Sequence, residues 1–290
     1  MTAIKKVSVS LRLLLFLAVL AGAFGLVWQA NAAPAEDGSA EIFFLSTQHE
    51  ANCTLIRQGD VVILVDTGEA VDGPAIVEFL RGKDVSHIDY LILTHPDQDH
   101  IGGAPAVLTE FSVGTVIQPY YSKENDKAEA LEKTFSELGI NPLYPSRPRS
   151  FTCGSLRMTV YPPLERQYRK DNNYSLGVLV RHGEINMLFP GDAEEKRLGE
   201  LLRVHWPKVQ LYEVAHHGRA SPSSGALIEL LKPQYAVSAS EGSDSAIREA
   251  CNQVGAELLY TMDGTLHFSS DGTALTRLYP VDKEQQYANT

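Results

Sequence analysis

Three apolar runs in this chain stop at side chains that bind protons and cations. DYLILTH (89–95) leads into a dense polar turn, EINMLFPGD (184–192) ends on Asp192, and VQLYEVAHHG (209–218) ends on His216 and His217. Their length and their β-branched and aromatic content read as buried strands. In sheet-based enzymes, side chains far apart in sequence meet at strand ends. Any fold for this chain must therefore gather three such ends at one rim or leave their polar side chains without a purpose.

The turn after the first run, HPDQDH (95–100), holds two histidines and two aspartates in six positions and is followed by Gly102-Gly103. Pro96 prevents the strand ending at His95 from running straight into a helix, so the chain turns with its polar side chains at the sheet edge. Imidazole nitrogen and carboxylate oxygen at this density are ligands for a divalent cation. Alone, the stretch reads equally well as a solvated turn in which Asp97 or Asp99 caps a helix starting near Ile101. Recurrence of ligand residues at two further strand ends favours the metal.

Between these points the chain reads as one unbroken domain over 41–282. Strands are expected at 41–47, 53–58, 61–68, 156–162, and in a hairpin of 175–183 with 184–192; helices at 71–82, 123–139, 193–205 and 223–232; then strand, helix, strand and a last hairpin over 263–280. Two strand-rich blocks, each with its own helices, predict an α/β (α+β) chain of two sheets packed face to face with helices outside. Residues 33–40 read as a short linker and 283–290 as a polar tail.

The first 32 residues have a basic start (Lys5, Lys6, Arg12), an apolar middle and Ala30-Asn31-Ala32, the layout of a signal peptide cleaved after Ala32. An uncleaved anchor is the alternative, and would be the one membrane contact expected. The predicted location is exported, periplasmic or extracellular. Cleavage leaves 22 basic against 36 acidic residues, a surface that repels polyanions at long range and argues against a dedicated nucleic-acid binder. Cys53, Cys153 and Cys251 make no CxxC pattern, which gives a thiolate zinc site no support; one disulfide or buried free thiols both fit.

VDTG (65–68), THPDQDHIGG (94–103), PGD (190–192) and AHHG (215–218) together resemble the metallo-β-lactamase superfamily. NNYSLGVLV (172–180), PGDAE (190–194) and the HHGxxSPSS run from His216 to Ser224 are similar, more narrowly, to the hydrolase domain of ComEC-type DNA-uptake competence proteins. The resemblance implies a four-layer αβ/βα sandwich and two divalent metal ions, with His95 and Asp97 on one, Asp99, His100 and His216 on the other, and Asp192 bridging. Asp97 stands where the superfamily usually has a second histidine. A carboxylate there adds negative charge and a hard oxygen, shifting preference from zinc toward manganese or magnesium. The superfamily's further histidine before the strand at 175 is absent, and Asp171 stands near its place as a candidate ligand. Family residues expected near 48–52 and 240–245 are also missing.

The expected reaction is hydrolysis by water activated between two ions, zinc or manganese, with Asp99, Asp192 and His217 in catalysis and His217 giving a proton or hydrogen bond to the leaving oxygen. Arg219, Ser221, Ser223 and Ser224, at a helix start, suit a phosphate, although simple N-capping explains the serines as well. A phosphodiester, small or nucleic acid, is the favoured substrate. A carbonyl substrate of β-lactamase, lactonase or thioesterase type is the second reading, and a non-catalytic metal-binding module the third. No obligate protein partner is inferred.

Overall fold

A computed structural model describes residues 38–279. The described chain forms two seven-stranded sheets. The first contains β1 (Ala40–Phe44), β2 (Thr54–Gln58), β3 (Val61–Val65), β4 (His87–Ile92), β5 (Ser112–Ile117), β13 (Leu266–Ser270) and β14 (Leu275–Leu278), in the order β14-β13-β1-β2-β3-β4-β5. The second contains β6 (Arg149–Cys153), β7 (Leu156–Tyr161), β8 (Gly177–His182), β9 (Ile185–Phe189), β10 (Leu211–Glu213), β11 (Tyr235–Ser238) and β12 (Glu257–Tyr260), in the order β12-β11-β10-β9-β8-β7-β6. Each sheet is antiparallel in one half and parallel in the other: β3, β4 and β5 run parallel, as do β9 to β12.

Side-chain alternation along the strands builds three cores from one sequence pattern. Ile42 and Phe44 of β1, Ile63 and Val65 of β3, and Ile185, Met187 and Phe189 of β9 point between the sheets. The opposite faces meet helices. Phe43, Val62 and Leu64 pack with α1 (Gly73–Gly82), α3 (Ala104–Glu110) and α4 (Asp126–Leu138). Leu188, Tyr212 and Ala236 pack with α5 (Glu195–Leu201), α6 (Ser224–Leu231) and α7 (Ser245–Val254). The result is the expected helix–sheet–sheet–helix sandwich. α4 shows why the amphipathic reading at 123–139 succeeds: Asn125 Oδ1 accepts from the Lys127 and Ala128 amides at 2.9 and 3.2 Å, Leu131 and Phe135 face inward, and Gly139 ends the helix at φ 67°.

Two strands escape the apolar pattern. β5 and β6 are the outermost strands of their sheets, and their solvent-facing side chains dilute the alternation that marks interior strands. The strands expected to reach His95, Asp192 and His216 also end earlier, at Ile92, Phe189 and Glu213. Residues 93–97 carry the first run on as a buried turn into the short helix α2 (Gln98–Ile101). Cys53, Cys153 and Cys251 are all free thiols. No helix among the described residues is long and apolar enough to cross a membrane. The leader over 1–32, most of the 33–40 linker and the whole 283–290 tail lie outside the described residues.

Candidate metal centre

The polar turns that follow β3, β4, β9 and β10 meet at one rim, two from each sheet, as strand ends in an open sheet allow. The turn after β3 docks through its backbone on the 95–103 segment: Thr67 N donates to His100 O at 2.8 Å, and Gly103 N to Gly68 O at 3.2 Å. That close approach accounts for Gly103, where an added Cβ would lie 2.1 Å from Thr67 O.

Asp66, buried and held at φ 57°, is the anchor of the turn. Its carboxylate accepts from Thr94 N and Thr94 Oγ1, each at 2.7 Å, and from His100 Nδ1 at 2.7 Å. With Nδ1 donating to Asp66, a neutral His100 would present Nε2 as a lone pair, the arrangement in which a carboxylate orients an imidazole metal ligand. His217 is set the same way, with Nδ1 donating to Ala239 O at 3.3 Å.

The freed nitrogens face carboxylates. His100 Nε2 lies 3.1 Å from Asp192 Oδ1, and His217 Nε2 lies 3.1 Å from Asp192 Oδ2 and 3.0 Å from Asp99 Oδ2. One donor atom from each of Asp99, His100, Asp192 and His217 falls within 4.8 Å of all the others. On the other side of Asp192, His95 Nε2 lies 3.9 Å from Asp192 Oδ2 and 3.4 Å from Asp97 Oδ2. Asp97 occupies the N-cap position of α2 without a side-chain capping bond, so its carboxylate is left to His95. The Nε2 atoms of His95, His100 and His217 and Oδ1 of Asp192 are buried without a sound hydrogen bond. Three orphaned imidazole nitrogens converging on one carboxylate, itself left with an orphaned oxygen, are a donor set that fits a divalent cation, since imidazole lone pairs and carboxylate oxygens satisfy one another only through shared positive charge.

Titration reports the same crowding. Burial disfavours every charge here, yet Asp192 and Asp66 hold His100 protonated well above the usual imidazole range. Against burial, Asp192 and Asp99 raise His217 to about 9. Asp192 is held well below the carboxylate range against burial, by His100 and His217. Asp99 comes down to about 2, where His217 outweighs burial. Without a metal the carboxylates draw protons onto the imidazoles.

His216 is not in this group. His217, not the His216 expected from sequence, falls within the cluster, in a stretch where residues 216, 217 and 218 are all left-handed, at φ 55°, 52° and 76°. This turn swings His217 into the centre and leaves His216 Nδ1 at the rim, 4.0 Å from Glu194 Oε1. Gly218 completes it where a Cβ would lie 2.6 Å from Ser243 Cβ. Asp171 instead pairs with Lys123 at 2.5 Å. Arg219 pairs with Glu50, Nη2 to Oε2 at 3.0 Å. Ser224 Oγ accepts from Ser221 N at 2.9 Å and is buried, while Ser223, at the N-cap of α6 without a side-chain capping bond, lines a pocket against α5.

Sequence reasoning assigned no role to Asp66 or Thr94, although VDTG and THPDQDH contain them. It also passed over Glu213, at the end of β10. This carboxyl is buried beneath the centre, with Oε2 unpartnered, and burial together with Asp66 raises it to about 8.

These features define a metallohydrolase-type sandwich, and the profile described as the metallo-β-lactamase superfamily matches residues 47–240. The chain belongs to that superfamily, whose members are in general metal-dependent hydrolases. It is 26% identical over 221 residues to ComE operon protein 3 of Bacillus subtilis, covering 67% of this chain and 28% of that protein. It is 29% identical over 189 residues to Recombination protein 2 of Haemophilus influenzae, covering 63% and 22%, and 26% identical over 224 residues to Competence protein ComA of Neisseria gonorrhoeae, covering 74% and 30%. The chain thus spans less than a third of the length of these relatives. Among solved structures, the metallo-β-lactamase fold protein YhfI from Bacillus subtilis superposes with a TM-score of 0.56 at 13% identity, covering 80% of this chain and all of that one. CmlA, a diiron β-hydroxylase from Streptomyces venezuelae, gives 0.51 at 17% identity, covering 85% and 55%.

Proposed function

We propose that the chain is an exported metal-dependent phosphodiesterase holding two divalent ions that share Asp192. The observation that carries this reading is the convergence on Asp192 of the orphaned Nε2 atoms of His95, His100 and His217, with the carboxylates of Asp99 and Asp97 on either side. Divalent ions bound there would supply Lewis-acid polarisation of a substrate oxygen and a lowered pKa for water. The chain's own residues do the rest. Asp66 and the Ala239 carbonyl fix the tautomers of His100 and His217. The carboxylates of Asp97, Asp99 and Asp192 make an oxygen-rich set suited to hard cations, manganese as readily as zinc. With His217 drawn into the centre, the proton for the leaving oxygen falls to His216, which sits at the rim with part of its side chain in solvent.

Two lines support phosphodiesters over carbonyl substrates: the oxygen-rich ligands, and relatives named for competence and recombination together with one named Endoribonuclease YSH1 from Gibberella zeae, 25% identical over 210 residues. The acidic surface favours a small or single-stranded substrate brought in through the site itself. The test is turnover by the purified chain lacking residues 1–32, loaded with manganese or zinc. Hydrolysis of bis-p-nitrophenyl phosphate or single-stranded DNA, abolished by chelation, is expected. Inertness toward both, with turnover of nitrocefin or a lactone, would transfer the centre to carbonyl chemistry.

A further inference from the structure

Beside the metal centre lies a cleft of about 580 Å³ that shares His95 and Pro96 with it. None of the site residues read from the sequence other than His95 lines it. The cleft runs from the 93–96 turn, along the exit of β5, to α4.

Its walls are aromatic. Tyr120 and Tyr144 are among the few large hydrophobic side chains that face solvent among the described residues, 55% and 41% exposed, and both border the cleft. Tyr121 also lines the cleft and is braced edge-on by Tyr174, ring centroids 4.8 Å apart. At the far end a polar array is already assembled: Gln118 Nε2 donates to Glu132 Oε1 at 2.6 Å, and the Tyr144 hydroxyl donates to the same oxygen at 2.9 Å. Among the described residues no bond occupies the second Glu132 oxygen, which is left to accept from an incoming N–H. Glu129 and Glu132 make this end negative, the wrong sign for a second phosphate and the right one for a flat, neutral ring with N–H donors.

We propose that the cleft is a nucleobase subsite, seating the base next to the scissile phosphodiester between Tyr120 and Tyr144 while the phosphate faces His95 and Asp192. Every base has a π-face, so stacking on tyrosine recognises nucleotides with little preference among them. The Glu132 carboxylate adds an acceptor for the base edge. The proposal rests on the phosphodiesterase reading and specifies which phosphodiesters it takes: those carrying a nucleoside.

The test compares two chromogenic esters on the metal-loaded chain, thymidine 5′-monophosphate p-nitrophenyl ester and the base-free methyl p-nitrophenyl phosphate, with Tyr120→Ala, Tyr144→Ala and Tyr120→Phe. The ratio of kcat/KM for the nucleoside ester over the methyl ester is expected to exceed unity in the natural chain. It should fall roughly 5- to 150-fold in each alanine variant, the range for losing one base–aromatic stack, and be retained in Tyr120→Phe. Equal efficiency on the two esters, or a ratio indifferent to both alanine changes, overturns the subsite and leaves the phosphodiesterase reading intact. If neither ester is hydrolysed, calorimetric titration of the metal-stripped chain with thymidine 5′-monophosphate against ribose 5-phosphate decides. Base-dependent binding that Tyr120→Ala weakens upholds the cleft without the activity, and no preference for the nucleotide overturns it.

Discussion

His216 and His217 are chemically identical neighbours, and the backbone alone separates their roles. Left-handed φ at two successive non-glycine residues costs roughly 1–3 kcal/mol each, and Asp66 stores similar strain on the opposite side of the centre. Strain kept at these three residues is consistent with a turn selected for where it aims His217. Replacing His217 by Ala should remove retained metal and lower hydrolysis at least ~100-fold. His216→Ala should keep its metal, as checked by elemental analysis of both purified variants; the reverse pattern would restore the assignment made from sequence. Asp66→Asn, which loses the charge that orients His100, should weaken metal binding by about 10- to 100-fold in a metal titration. The candidate ligands at 95, 97, 99 and 100 were legible because their spacing is local and dense, and Asp192 because it closes an apolar run. The choice between 216 and 217 was not, because it depends on torsion angles that no periodicity encodes. Asp66 was hidden for a different reason: its partners, Thr94 and His100, are some thirty residues away.

Glu213 gives a prediction of its own. Its folded pKa, raised to about 8 by burial and by Asp66, lies above the unfolded carboxylate value of 4.5. The folded chain therefore holds a proton that the unfolded chain releases, so stability is full below pH 4.5 and is lost as pH rises through about 8. In the metal-free protein, Glu213→Gln should match the natural chain near pH 4.5, gain on it as pH rises, and hold a constant advantage above about 8. Denaturant melts at several pH values would show this, and a gap independent of pH would contradict it.

At the scale of elements, the site depends on turns that fit only because backbones approach closely. Gly103→Ala places a methyl against Thr67 O, and that backbone can yield only by moving the Asp66 turn. The variant should lose stability and metal affinity together, read by thermal melts with and without added manganese. α5 carries a buried ion pair outside the candidate ligand set. Buried Arg197 binds Glu200 Oε2 at 2.7 Å, Ser175 O at 2.8 Å and Tyr161 O at 2.6 Å, tying the helix to the segment before β8. Arg197→Ala leaves Glu200 buried without its countercharge and should cost about 3–5 kcal/mol in chemical denaturation. The interior strands and the long helices were legible because burial on one or both faces writes a period of two or of 3.6 into the sequence. β5 and β6 were not, since an edge strand with a solvent-facing side keeps only half of that signal.

For the whole molecule, the two sheets act as a frame whose rim gathers buried carboxylates and imidazoles in one cluster. Metal should therefore act as a folding ligand. At a free concentration about 100 times its dissociation constant it adds about 2.7 kcal/mol, a rise in Tm of roughly 5–10 °C for a domain of this size. Its effect must grow with pH. His217 has a folded pKa of about 9 against 6.5 unfolded, so in the metal-free chain the stabilisation from its protonation is complete below pH 6.5 and is lost as pH rises through 9. Binding must displace that proton, and the gap in Tm between loaded and metal-free chain should widen from pH 6.5 toward 9. The cleft lined by Tyr120 and Tyr144 reaches the metal rim at His95, where the proposed recognition and chemistry would meet.

The central claim is that Asp192 is shared by a cation held with Asp99, His100 and His217. Crystals of the chain soaked in manganese, measured on both sides of the manganese absorption edge, test it directly. The account predicts an anomalous peak within bonding distance of Asp192 and His217 Nε2, with His216 outside that shell. An empty centre at saturating manganese, or a peak ligated by His216 in place of His217, would contradict it.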